Sequence, residues 1–264
     1  MVQLTADDDL RGAQVVDADM RGATFRFANL SGSRFDQSYL THAVMRGVDL
    51  EDAEVDGSID GLVLNGVAVE PLVQAALDER FPGRAGRRST DSAEQLAAFD
   101  AAQERWSEVI ARATAHPALR DASVGGEWSV AQTLRHLVFA TDSWLRLSVL
   151  GLPDAFCPIG VPFSEWDTRA PALGVDMTAS PSWDEVLAAR ADRVAQVRAF
   201  LAGQTPETFA GLPHGLPPWD DGAPEEHRRT MTVARCMGVV GNEEWEHLRF
   251  ALRDLDALAA GAVS

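Results

Sequence analysis

The 264-residue chain has two cysteines, one tyrosine and no run of about 18 apolar residues. The missing apolar run excludes a membrane-spanning helix and, with it, a membrane partner. Cys157 and Cys236 lie far apart with no CxxC spacing. They could pair only by an accident of folding and read as two free thiols in a reducing compartment. The opening "MVQLTADDDL" has neither the basic nor the apolar stretch of a secretory leader, so a cytoplasmic location is expected. No basic patch is present, and the formal net charge is −17. A phosphate backbone would be repelled, so no nucleic-acid partner is expected.

What is present is ordinary in amount and unusual in rhythm. Hydrophobic residues make up 46% and charged residues 24%, a balance typical of soluble chains with one large or two small domains. The first seventy residues repeat every five. Leu10, Val15, Met20, Phe25, Leu30, Phe35, Leu40, Met45, Leu50 and Val55 each precede by three a smaller residue, from Ala13 to Ser58. A period of five fits neither a helix nor a strand. It fits a solenoid whose coil points one large and one small side chain inward at each side. These strings resemble the pentapeptide-repeat family, which implies a right-handed quadrilateral β-helix of about three coils. The resemblance implies a scaffold or a surface for homodimer formation, with DNA mimicry by an acidic face as the lesser option. His42 falls in an outward slot and reads as a solvated surface residue.

After the repeats, "EPLVQAALDERF" carries Pro71 at a helix-start position and reads as a helix closing the solenoid. "PGRAGRRSTDS" has linker composition. The expected division is therefore residues 1–81 solenoid with capping helix, 82–90 linker and 91–264 helical domain. In the last part, four helical patterns of roughly 20 to 28 residues predict an all-α four-helix bundle. Two open with capping-box spacing, Ser129 to Gln132 and Ser182 to Glu185, and one begins near Thr230 or Thr232. The segment 203–229, rich in Pro and Gly, reads as a long loop.

The last helix holds the chemistry. Its apolar seam steps through Val233, Cys236 or Met237, Val240, Glu243 or Glu244, His247, Ala251 and Leu255. Either carboxylate shares a face with His247, and a buried carboxylate needs a cation or strong donors. On the second helix, His136 lies on a stripe with Leu134, Leu137 and Phe139. Three such groups converging in a bundle core suit a divalent metal with open positions. The alternative is a buried polar network, with Arg135 or Arg249 neutralising the carboxylate.

"EWSVAQTLRHLVFATDSWL" and "NEEWEHLRFALRDLDAL" resemble the DinB-like family, in the branch related to mycothiol-dependent transferases and isomerases. The resemblance spans roughly residues 90–260 and implies a metal held by His136, Glu243 and His247. Many members carry His where Glu243 stands, and Glu points to the mycothiol-related branch. Two nitrogens and one carboxylate suit zinc, with nickel, iron or manganese also compatible. The resemblance implies a metal-dependent thiol S-transferase or isomerase. A low-molecular-weight thiol such as mycothiol would attack a small-molecule electrophile. The alternatives are a hydrolase using bound water and a non-catalytic metal-binding scaffold. Other positions read as structural: His116 at a helix end, His214 and His227 in the loop, Cys236 as an inert thiol and Asp142 on the surface. Trp128, Trp144, Trp166, Trp219 and Trp245 read as core, with Trp166 and Trp219 able to wall a pocket.

Overall fold

The computed structural model describes Thr5, residues 8–220 and residues 222–261. They fall into two compact units that divide between Gly57 and Ser58.

The first unit shows its period of five in the backbone itself. A left-handed residue recurs every five positions, from Gly12 and Asp17 through Gly22, Phe27, Gly32, Gln37, His42, Gly47 and Asp52 to Gly57. Glycine fills half of these places because it alone enters that region without a steric cost. Alternate repeats also close a β-turn, as in Ala13 N–H to Leu10 O at 3.0 Å and Ala23 N–H to Met20 O at 3.0 Å. Side chains brace several of these turns. Asp9, Asp19 and Asn29 accept from the backbone N–H two residues on, at 3.0–3.1 Å. Local order is therefore periodic with a doubled period of ten.

The expected inward packing is not seen. Leu10, Phe25, Leu30 and Phe35 keep 45–60% of their surface exposed. Among the described residues the only strands are β1 (Val63–Leu64) and β2 (Val67–Ala68), paired antiparallel beyond the repeats. A turn every five residues leaves too short an extended run for a ladder to register.

The second unit is helical. α1 (Glu70–Arg80) carries Pro71 in its first turn as expected, but it belongs to this unit. The main helices are α2 (Ser92–Ala115), α4 (Val130–Thr141), α5 (Trp183–Ala202) and α8 (Val233–Ala259). Short helices α3 (Pro117–Asp121), α6 (Pro206–Ala210) and α7 (Glu225–Thr230) lie between them. Both capping boxes form, at Ser129 with Gln132 and at Ser182 with Glu185, and Thr232 caps α8. The segment 203–229 is not one loop, because α6, α7 and a turn at Pro218–Asp220 organise it. α4 runs on into a π-helical stretch, Asp142–Val149.

The four long helices contact one another in a closed ring, α2 to α8, α8 to α4, α4 to α5 and α5 to α2. Trp106, Leu134, Leu137, Trp245, Leu248 and Leu255 fill its interior. Deep burial of such side chains is worth about 1.5–3 kcal/mol each, which supplies most of the drive for the ring to close.

Two segments differ from their sequence reading. The 82–90 segment is built in rather than free. Arg84 and Arg87 are buried, and Arg84 reaches Asp78 at 2.6 Å and Glu246 at 3.0 Å. Gly241 lets Arg87 lie against α8, where an added Cβ would meet the Arg87 carbonyl oxygen at 3.1 Å. Asp142, expected on the surface, is fully buried. It pairs with Arg193 at 2.5 Å and accepts from the Cys157 N–H at 2.7 Å. Arg193, which offsets the desolvation of Asp142, lies far along the chain, and Arg84 adds distant Glu246 to nearby Asp78.

Candidate metal centre

The interior seam of α8 runs through Met237, Val240, Glu244, Leu248, Ala251 and Leu255, all buried. Glu243 and His247, spaced i, i+4, flank this seam by one residue and face α4. Each keeps some exposure, 30% for the Glu243 side chain and 16% for His247. His136 comes from the buried face of α4, held by the well-capped helix that begins at Ser129.

The three side chains meet. One ligating atom from each lies within 4.8 Å of the others. Glu243 Oε2 stands between the two rings, 3.3 Å from His136 Nε2 and 3.1 Å from His247 Nε2. The two imidazoles cross at a centroid distance of 4.8 Å. His136 Nδ1 lies 2.9 Å from the Val161 carbonyl oxygen. A carbonyl only accepts, so Nδ1 carries the proton and donates, and Nε2 of the neutral ring presents a lone pair to the carboxylate. Two lone pairs at that distance repel unless a positive charge sits between them.

The electrostatics set which positive charge suits. Burial pushes His136 below the ordinary imidazole value, against the raising influence of Glu243, and so disfavours a resident proton. Burial alone would raise Glu243. The two imidazoles beside it, His136 and His247, instead hold its carboxyl well below the usual range. A carboxylate kept ionised, beside an imidazole kept neutral and aimed by a backbone carbonyl, is the donor set that a divalent cation takes. The residues present therefore fit a metal.

Glu244 does not join them. It turns into the core, 1% exposed, and its carboxylate pairs with Arg190 at 2.5 Å and accepts from Gln103 at 3.0 Å. The arginines considered as partners for the carboxylate are engaged elsewhere. Arg135 donates to the Ile159 and Ala179 carbonyls, and Arg249 pairs with Glu246. Cys236 is wholly buried and its thiol is pushed up to about 12 by that burial, which makes it unreactive. His116 ends α2, His214 is exposed beside Gly151, and His227 approaches Asp220 at 3.5 Å.

Trp128 is the group that sequence reasoning misjudged. It is half-buried rather than core, and its ring lies tilted against His136 at 4.4 Å and stacks on His247 at 5.8 Å. Its place just ahead of the Ser129 cap was the available signal. The Val161 carbonyl had none, since every residue carries one. Trp166 and Trp219 do wall an aromatic cluster with Phe139 and Phe163, while Trp144 and Trp245 are buried.

A family model described as pentapeptide repeats matches residues 18–57 in eight copies. No curated protein and no solved structure matches the chain significantly. A model described as the DinB superfamily matches residues 117–251, the stretch from α3 into α8 that carries all three converging side chains. The chain belongs to the DinB superfamily, with pentapeptide repeats ahead of that domain.

Proposed function

We propose that the protein is a metal-dependent thiol S-transferase or isomerase. In this reading His136, Glu243 and His247 hold one divalent ion, and the helical ring is a DinB-like four-helix bundle. The observation that carries it is the lone pair of His136 Nε2 facing Glu243 Oε2 at 3.3 Å, a pair that calls for a cation. A bound ion, zinc first by its two-nitrogen, one-carboxylate set and otherwise nickel, iron or manganese, would supply a Lewis acid that keeps a thiol as its thiolate.

The chain's own groups do the rest. The Val161 carbonyl fixes the tautomer and tilt of His136. Trp128 covers both rings on one side and excludes water there. Glu243 contributes one negative charge, so a site with two neutral imidazoles keeps a net positive charge that attracts a thiolate. The thiol, of the mycothiol kind, gives its proton to solvent. Its sulfur then bonds to an electrophilic carbon while the leaving group departs with the bonding pair. In the isomerase variant no group leaves: the sulfur adds to an electrophilic double bond, the displaced electron pair moves onto the substrate, and the thiolate is expelled as the double bond re-forms.

The repeat segment is assigned to self-association through its solenoid, a quadrilateral β-helix in this reading. The large first-position side chains left exposed in a single chain support that assignment. The deciding experiment is a metal analysis of the purified protein followed by titration of its cobalt form with mycothiol. One equivalent of metal and a sulfur-to-cobalt absorption band are expected. A protein that folds without metal and takes up none would defeat the proposal.

A further inference from the structure

Beside the metal centre, two cavities open along α4. One, of about 240 Å³, is lined by Trp128, Val161 and Ser164; the other, of about 300 Å³, by Ser129 and Ser180. They share Gln132, Arg135 and Ala179, so they adjoin at those residues. The smaller adjoins the metal centre through two of its walls. Trp128 lies against His136, and the Val161 carbonyl holds the same ring.

The shared residues offer donors. Asp121 lines the larger cavity and Asp167 the smaller, but neither pairs with Arg135, and Asp121 is taken by Arg120 at 2.5 Å. Arg135 is placed by its Nε at 2.7 Å from the Ile159 carbonyl oxygen and its Nη2 at 3.3 Å from that of Ala179. Among the described residues no carboxylate pairs with it, and its Nη1 has no hydrogen-bond partner. Three arginines buried elsewhere in this unit each have a carboxylate partner: Arg84 has Asp78, Arg190 has Glu244 and Arg193 has Asp142. Acids are not scarce, since Asp and Glu number 40 against 23 basic residues. Three residues earlier on the same helix face, Gln132 accepts from the Ser129 N–H through Oε1, which fixes its amide and leaves Nε2 as a free donor. The carbonyl contacts explain why the Arg135 guanidinium is held where it is; they leave its charge unanswered.

We propose that these joined cavities bind the carboxylate of a small-molecule substrate, with Arg135 as the ionic anchor and Gln132 as the second donor. A planar guanidinium edge matches a carboxylate, and an ionic hydrogen bond of this type contributes about 1.5–3 kcal/mol. The inference rests on the reading above only for what sits in the metal centre next door. Two sources of the carboxylate are distinguishable, the thiol itself and the electrophile.

The test uses the full chain loaded with cobalt and three probes: N-acetylcysteine, N-acetylcysteamine, which lacks only the carboxylate, and N-acetylalanine, which lacks only the thiol. If the thiol bears the carboxylate, N-acetylcysteine gives its sulfur-to-cobalt band at about tenfold lower concentration than N-acetylcysteamine. If the electrophile bears it, N-acetylalanine binds by calorimetry together with N-acetylcysteamine, without competition. In either case Arg135→Gln removes the carboxylate-dependent binding, Arg135→Lys keeps part of it, and the affinity for N-acetylcysteamine stays unchanged. The wild-type comparison stands even if the Gln variant disturbs the loop that Arg135 holds. Equal binding of both thiols with no binding of N-acetylalanine overturns this inference and spares the proposed function. Absence of any cobalt–sulfur band overturns the proposed function instead. N-acetylalanine then decides the inference alone, by saturable binding that Arg135→Gln abolishes or by no binding at all.

Discussion

His136 Nε2 and Glu243 Oε2 face one another at 3.3 Å while the far nitrogen of the same ring is tied to the Val161 carbonyl. The ring cannot turn its proton towards the carboxylate without breaking that tie. The contact is therefore poised for a cation, and its consequences can be measured.

Replacing His136, Glu243 or His247 by Ala is expected to weaken metal binding by at least about 100-fold, beyond the range for outer-shell partners. Metal content after dialysis against a mild chelator reads this directly. Glu244→Gln should leave the metal content of folded protein unchanged but lower stability by about 3–5 kcal/mol, because Arg190 would keep a buried, uncompensated charge. Metal loss in Glu244→Gln with an unaltered melting temperature would reverse the assignment of the two glutamates.

The metal-free protein should lose stability on acidification. The folded value of His136 lies below 6.5 and that of Glu243 below 4.5, so in both cases the unfolded chain takes up protons first. The stability each contributes is present above its unfolded value and is lost as the pH falls towards its folded one. Urea midpoints of chelated protein should drop from pH 7 downward, and Glu243→Gln should flatten the part below about pH 4.5. A midpoint that rises on acidification would contradict the electrostatics of the site.

Native protein should react slowly at one of its two thiols. Cys236 is fully buried with its thiol pushed up to about 12, while Cys157 is half-buried. Iodoacetamide at pH 8 should label no more than one site per native chain and both in denaturant. Rapid labelling of Cys236, located by peptide mapping, would show that α8 opens more readily than its packing implies.

A fragment starting at residue 91 should be less stable than one starting at residue 58. The shorter piece lacks Arg84 and Arg87, and with them the contacts to Glu246 and Asn242 on α8. Losing charge-assisted hydrogen bonds of this kind costs about 1.5–3 kcal/mol, or roughly 5 °C in a unit of this size. Equal melting temperatures would mean that the arginine brace is dispensable.

Removing residues 1–57 should lower the oligomeric state seen by light scattering and leave the metal content intact. An unchanged mass would assign self-association, if present, to the helical unit.

Local signals were legible in the sequence and distant pairings were not. The capping boxes at Ser129 and Ser182 and the cap at Thr232 depend on residues two or three apart, and all form. The meeting of His136, Glu243 and His247 was reachable through the family resemblance, since spacing alone left both Glu243 and Glu244 able to share a face with His247. Asp142 and the 82–90 segment were misread for want of any local signal. Arg193 lies 51 residues from Asp142, and Glu246 lies 162 from Arg84, distances at which composition says only "polar" or "linker". The five-residue period predicted where the backbone turns but not the burial of its large side chains.

Glu243 and Glu244 make α8 an angular key. Consecutive residues project about 100° apart, so one carboxylate joins His136 and His247 and its neighbour enters the core. Two close-packed glycines upstream, Gly238 and Gly241, lie against the backbone of Arg87 and Arg88 and fix how far the helix can rotate. Deleting a single residue between Gly241 and Glu243 would turn the distal helix by that same angle. Arg190 would lose its counter-charge, and His136 would lose Glu243 and His247 together, since those two turn as one i, i+4 pair. Insertions and deletions in this stretch should therefore be tolerated only in whole turns, whereas point substitutions on the outer face of the same stretch meet no such restriction.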